Sequence, residues 1–242
     1  MEINNTDPNI VRKTYEWLDQ HTKYGSSFHG RSLLPIVKSL KNVNSVLDVG
    51  TGRGEFCNWA IENLCQDVTG SDFAINPNPS FLNKNINFIK NLSHEIPLPD
   101  NSVDLLVSFD VLEHIRPEDI PETIKEFSRV TKKYMLHKVS STAASDGPTE
   151  NPYLPSIKNL HLIQQGRGAW EHMFHTNLDA DDWRIYRIDR AIFVIKKDAE
   201  DKAMREDELG KKINDEERAR KRAERKARAM ERKEEKQKRL DE

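Results

Sequence analysis

Three stretches of this chain hold residue types at spacings that can do chemistry. In Ser45-Val46-Leu47-Asp48-Val49-Gly50-Thr51-Gly52-Arg53-Gly54-Glu55-Phe56, an aliphatic run containing an acid leads into glycine at every second position. Glycine lets the backbone take dihedrals that a Cβ forbids and lets a ligand approach the main chain. The helix start just beyond offers unpaired N–H groups, so the turn is a nucleotide-sized seat. Its spacing is G-x-G-x-G, not the G-x-G-x-x-G of the dinucleotide fingerprint. Further on, Asp67 to Phe73 reads as a second strand ending in an acid, and the Asp72 carboxylate is placed to take both ribose hydroxyls of a nucleoside. The third stretch, Asp110-Val111-Leu112-Glu113-His114, puts two acids and an imidazole at a strand end, with His137 and His161 following later. Such groups act as general acid or base toward a hydroxyl, or as ligands to a divalent ion. They equally serve to cap the strand and pack the loop that follows.

These residues need elements to position them, and the hydrophobic periodicity supplies an alternation of strands and helices. Residues 8 to 23 read as an amphipathic helix with Ile10, Val11, Tyr15 and Leu18 inward. A loop, Tyr24 to Gly30, leads to a helix over Arg31 to Leu40 and a first strand that ends at the glycine turn. A helix over Phe56 to Leu64 precedes the second strand, and Ile86 to Ile89 reads as a third. Pro99 to Ser102 is a turn, and Val103 to Phe109 a buried strand. Pro117 to Pro121 opens a helix, since proline is tolerated in a first turn and acids face the positive dipole end. Its apolar residues Ile120, Ile124, Phe127 and Val130 have core spacing, and Lys133 to Val139 forms a fifth strand. The polar stretch Ser140 to Ile157 is longer than an ordinary connection, which makes it a candidate substrate loop. A helix near Arg167 to Phe174 and a hairpin of Trp183 to Arg187 with Ala191 to Ile195 close the domain.

Together the three chemical stretches resemble class I S-adenosylmethionine-dependent methyltransferases of the broad type 11 group, over roughly Tyr24 to Lys197. The resemblance implies an α/β fold: a doubly wound, Rossmann-like, seven-stranded sheet, mostly parallel and finished by an antiparallel hairpin. It implies S-adenosyl-L-methionine as cofactor. Gly50, Thr51, Gly52 and Gly54 would carry the methionine moiety, Asp48 would order the turn or meet the ammonium group, and Asp72 would hold the ribose. Phe73 and Phe109 would complete the seat. Relatives place an acid on the adenine amino group after the third strand, where this chain has Leu92. The Ser93 backbone and the Asn91 or His94 side chains are the available substitutes. Tyr24, Phe28 and His29 would lie near the methyl donor.

For Asp110, Glu113 and His114 three readings stand open. They are a strand cap, a catalytic set with His114 as general base, or a metal site. An acid-x-x-Glu-His pattern is similar to one that binds a divalent ion in ubiquinone-pathway O-methyltransferases and small-RNA 2′-O-methyltransferases, with His161 as an additional ligand if the fold delivers it. Gly52 to Phe56, with His161-Leu162-Ile163 and Trp170, looks like glycan-modifying members. The leading expectation is therefore O-methylation of a small molecule or sugar, with no assigned metal. The alternatives are an RNA or protein methyltransferase, or a methyltransferase-like scaffold without activity.

The bulk properties fit one such domain, 1–198, with an appendage, 199–242. The chain has 242 residues and a formal charge of −2, so no global field points to nucleic acid or membrane. Its two cysteines, Cys57 and Cys65, read as reduced thiols of a cytoplasmic protein. No stretch is apolar enough to span a bilayer, and Met1 to Asn5 lacks a signal pattern. Glu200 to Glu217 is acid-rich and Arg218 to Arg239 basic, with Glu217–Lys221, Glu224–Arg228, Glu234–Lys238 and Glu235–Arg239 at helical spacing. This is a charged helix without the leucine seam of a coiled coil. Its functional reading is an arm for nucleic acid or an anionic surface.

Overall fold

The computed structural model describes residues 8–21, 28–74, 83–141, 160–188 and 191–199. Tyr24, most of the stretch Ser140 to Ile157 expected as a substrate loop, and the stretch beyond Ala199 expected as a charged helix fall outside them. The first 197 residues make one of two units, and only Asp198 and Ala199 of the other are described.

A seven-stranded sheet has the order β3-β2-β1-β4-β5-β7-β6, with β1 Ser45–Val49, β2 Asp67–Asp72, β3 Asn87–Lys90, β4 Val103–Phe109, β5 Thr131–Lys138, β6 Trp183–Ile188 and β7 Ala191–Lys196. The first five are parallel; β7 runs antiparallel to β5 and to β6. This is the Rossmann-like arrangement that the resemblance implied. β5 starts two residues earlier than expected, because the helix before it runs straight into it without a loop. There Thr131 is buried and its hydroxyl donates to the Phe127 carbonyl at 2.7 Å.

Strand side chains alternate between two cores. Leu47, Val49, Leu106, Met135, Ile192 and Val194 face helices α4 (Ile120–Val130) and α5 (Arg167–Asn177). Val46, Val68, Leu105, Val107, Tyr134 and Leu136 face α2 (Leu34–Ser39) and α3 (Glu55–Asn63). Both sheet faces are covered, as buried parallel strands require. The first helix, α1 (Pro8–His21), turns Thr14, Tyr15 and Leu18 inward and belongs to a third cluster with Phe73, Ala74 and Leu160.

The sheet grows outward from β1 on one side and from β4 on the other. The connections leave these two neighbours in opposite directions, which opens a crevice beyond their carboxyl ends. Among the described residues no helix is long and apolar enough to cross a membrane.

Candidate active site

The crevice is a cavity of about 840 Å³. At its floor the β1 chain turns through Gly50, Gly52 and Gly54, with φ of 70°, 55° and 78°. Only glycine adopts such values without strain. Gly50 meets a second demand, since a Cβ there would lie 2.4 Å from a methyl of Val111. The Gly50 and Thr51 amides donate to the Ser71 carbonyl at 2.8 and 3.0 Å, which locks the turn to β2. The Gly52 amide donates to the Asp72 carboxylate at 3.0 Å, and the Ala74 amide to its other oxygen at 3.2 Å. Asp72 thus stands at the end of β2 with its orientation fixed, and a carboxylate has further lone pairs for a ligand.

Asp48 lies beneath this turn. Its carboxylate accepts the Thr51 hydroxyl at 2.7 Å and the Cys57 thiol at 3.6 Å. Burial pushes its pKa up to about 7 against the pull of both hydrogen bonds, with Asp72 adding to the rise. Of the expected cofactor residues, Asp48, Gly50, Thr51, Gly52, Asp72, Phe73, Ser93, His94 and Phe109 line the cavity. Gly54 is not on its wall; it caps the start of α3 in the left-handed conformation. Phe28 and His29 do line it, with Phe28 packed 5.6 Å from the ring of Phe109.

Beyond β3, Leu92 is 42 % exposed and on the cavity wall, so the position where the resemblance leads one to expect an acid is apolar. The substitutes differ in how they are engaged. Asn91 accepts from the Ser71 hydroxyl at 2.9 Å and donates to the Leu92 carbonyl at 2.7 Å. The Ser93 hydroxyl meets Thr123 at 3.4 Å. Nδ1 of His94 is buried with no hydrogen-bond partner among the described atoms. A polar ligand on this wall would satisfy it.

Across the cavity Asp110 follows directly on the end of β4, and its φ of 63° is left-handed in a residue with a Cβ. The following 3-10 turn, Leu112–His114, turns Glu113 inward and His114 to the cavity. Glu113 is completely buried and off the cavity wall. Its Oε1 accepts the Ser140 amide at 2.5 Å, and its Oε2 has no hydrogen-bond partner among the described atoms. Burial and the adjacent Asp110 push its pKa up to about 9. His114 Nδ1 lies 2.7 Å from the Tyr15 hydroxyl and 3.1 Å from the Leu160 carbonyl. Burial, helped by His161, lowers its pKa to about 4. The His161 ring stands edge-on to it, 4.6 Å away. His29 Nε2 is 3.7 Å from Asp110.

His137 is a correction to the acceptor-side set. It is fully buried in the sheet core, stacked on Phe127 and tilted against Phe174, with Nδ1 2.8 Å from the Ser108 hydroxyl. It shares strand parity with Met135, which the alternation of β5 already implies. Tyr15 and Val111 are among the cavity residues that local spacing did not reveal as such, because each acts through a contact distant in sequence.

Comparisons with known proteins agree with this geometry. Residues 47–134 match a family model described as a methyltransferase domain. No curated protein matches the sequence. Among solved structures, the chain is similar to one in the complex that holds the Trm112 methyltransferase activator of Haloferax volcanii (12 % identity, TM-score 0.56, covering 77 % of this chain and 96 % of that one). It is similar also to an S-adenosylmethionine-dependent methyltransferase from Archaeoglobus fulgidus (18 %, 0.52, 78 % and 100 %). A third is the PH0226 protein from Pyrococcus horikoshii OT3 (16 %, 0.51, 75 % and 97 %). At such identities the likeness is one of fold. Over residues 47–134 the chain is similar to a methyltransferase domain, and its fold is similar to that of the S-adenosylmethionine-dependent methyltransferase from Archaeoglobus fulgidus.

Proposed function

We propose that this protein transfers a methyl group from S-adenosylmethionine to a hydroxyl oxygen of a small molecule or sugar. One observation carries the reading. A single cavity joins a positive-φ glycine turn and the fixed Asp72 carboxylate, on one wall, to the Asp110 and His114 side chains on the other. Its volume exceeds that of one nucleoside-sized ligand, which leaves room for an acceptor.

The residues fit the cofactor. The main chain of Gly50 to Gly52 seats the methionine end, Asp72 holds the ribose hydroxyls, and the His94 ring offers its unpaired nitrogen toward the base. Bound there, the cofactor supplies an activated sulfonium methyl, so the protein's task is alignment and exclusion of water. Phe28, Phe73 and Phe109 give apolar walls for that exclusion.

A hydroxyl acceptor loses a proton on methylation, and the polar wall at Asp110 and His114 suits it better than an amine that needs no base. His114 does not serve as the sole base. A neutral imidazole with a pKa near 4 is too weak, and its Nδ1 is engaged by Tyr15 and Leu160. Asp110 instead takes the proton that the acceptor hydroxyl releases, and His114 orients the acceptor oxygen.

The test is incubation of the full chain with methyl-labelled donor and fractionated sugars, small alcohols, RNA and proteins. Label in an ether-linked methyl of a small molecule or sugar, absent with Gly52→Val, is the expected result. Label in RNA or protein that is lost on deleting 218–242 would favour the docking alternative, and label on nitrogen or carbon would contradict the reading.

A further inference from the structure

We propose that His29 carries the acceptor's proton from Asp110 out of the cavity to solvent. The role rests on the methyl-transfer reading and extends it, because it names the group that restores Asp110 after each turnover. His29 Nε2 lies 3.7 Å from the Asp110 carboxylate, and the side chain lines the cavity while half of it is exposed. It therefore reaches both the acid that faces the acceptor and the water outside.

One lysine holds the two residues together. Lys138, the last residue of β5, gives its main-chain carbonyl to the Asp110 amide at 2.8 Å and donates from its ammonium to the His29 carbonyl. Gly30 is buried, and a Cβ there would lie 2.5 Å from the rings of both Phe28 and Phe109. Its carbonyl accepts the Leu33 amide at 2.9 Å, and Phe28 packs on Phe56 and Phe109 with ring centroids 5.6 Å away in each case. The main chain around His29 is thus fastened to the ends of β4 and β5, while the imidazole itself is free to turn into water. A small rotation of the ring brings Nε2 to hydrogen-bond distance from Asp110, and contacts of this kind tighten when substrate binds.

The other groups around Asp110 are unsuited to the task. Glu113 is completely buried, and burial with the adjacent Asp110 pushes its pKa up to about 9, so at neutral pH it already holds a proton. His114, lowered to about 4, does not keep one, and its Nδ1 is engaged by Tyr15 and Leu160. His161 is buried, edge-on to the His114 ring. Lys138 is spent on the His29 carbonyl, and Arg31 lies over the Phe28 ring and pairs with Glu55 at 3.5 Å. Near Asp110, the exposed group that can accept a proton and return it to water is the His29 imidazole.

The proton balance closes along this route. The acceptor oxygen forms its bond to the methyl carbon, and the electron pair of the broken carbon–sulfur bond stays on sulfur. The acceptor's O–H bond breaks and its proton goes to a carboxylate oxygen of Asp110. The lone pair of His29 Nε2 takes that proton, and the imidazolium then loses one to water, which returns the neutral ring and the ionised acid.

The test is turnover of His29→Ala in the full chain, with labelled donor and the hydroxyl acceptor that the wild type methylates, with and without added imidazole. The expected result is a kcat lowered roughly tenfold or more, with KM for donor and acceptor unchanged, and recovered by free imidazole. The recovered rate should rise with pH as the added base loses its proton. His29→Gln, which keeps a polar side chain but takes no proton, should be as slow and recover less, because its side chain fills the space. A kcat equal to wild type, or a loss that imidazole does not recover at any pH, overturns the role of His29 while leaving methyl transfer in place. A wild-type chain that binds S-adenosylmethionine yet methylates no hydroxyl overturns the methyl-transfer reading, and this role with it.

Discussion

The hydroxyl of Tyr15 lies 2.7 Å from Nδ1 of His114, so one polar contact fastens the first helix to the acid–histidine wall of the cavity. The Tyr15 ring also meets Phe73 edge-on at 5.4 Å, at the end of β2. A single side chain therefore touches both the expected cofactor wall and the acceptor wall.

Tyr15→Phe keeps the ring and deletes the hydroxyl. A hydrogen bond of this kind contributes about 0.5–1.5 kcal/mol net. The expected outcome is a raised KM for the acceptor with cofactor affinity unchanged. An unaltered acceptor KM would make the contact a fastening of the helix and nothing more.

Gly50→Ala puts a methyl where Val111 already stands and forces a left-handed backbone on a residue with a Cβ. The backbone part alone costs about 1–2 kcal/mol. Thermal melts should show a lowered Tm. Adding Val111→Ala should recover part of it, because the closest atoms are the Val111 methyls. No recovery would locate the whole cost in the backbone.

Leu92→Asp puts a carboxylate at an exposed position on the cavity wall, where the resemblance leads one to expect an acid near the adenine amino group. One added hydrogen bond is worth about 0.5–1.5 kcal/mol, or roughly two- to tenfold in affinity. Cofactor titration should show this tightening. Weaker binding would mean that the adenine does not lie along this wall.

Acid sensitivity should arise in the core and not only at the surface. Burial lowers the His137 pKa from 6.5 to about 3. Between these values the unfolded chain binds a proton that the folded chain does not, so stability rises with pH from about 3 to 6.5 and is flat above. The steepest slope is about 1.4 kcal/mol per pH unit for one proton. His114, lowered to about 4, adds in the same direction over a narrower range. Denaturant melts of His137→Gln, which carries no titrating ring, should show a shallower pH dependence. An identical profile would assign the acid loss to other groups.

The fold was legible because its determinants are local. The strand-turn-helix at Asp48 to Phe56, the acid closing β2 and the proline-opened α4 all follow from neighbours a few residues apart. The proposed seat of the cofactor shares that property. The proposed acceptor wall does not. Tyr15 reaches His114 from another helix, and His161 reaches it from beyond the fifth strand, so no periodicity records either contact. His137 is the reverse case. Its residue type suggests chemistry, although its place two residues from Met135 in the strand alternation assigns it to the core.

The central claim is that the glycine turn and Asp72 together seat a sulfonium nucleoside. Calorimetric titration of the full chain with S-adenosylmethionine tests it most directly. The account predicts one site per chain, and a loss of about 1.5–3 kcal/mol, roughly ten- to 150-fold in affinity, on Asp72→Ala. A folded wild-type protein that takes up no S-adenosylmethionine at millimolar concentration, or an Asp72→Ala variant that binds it as wild type does, would contradict the account.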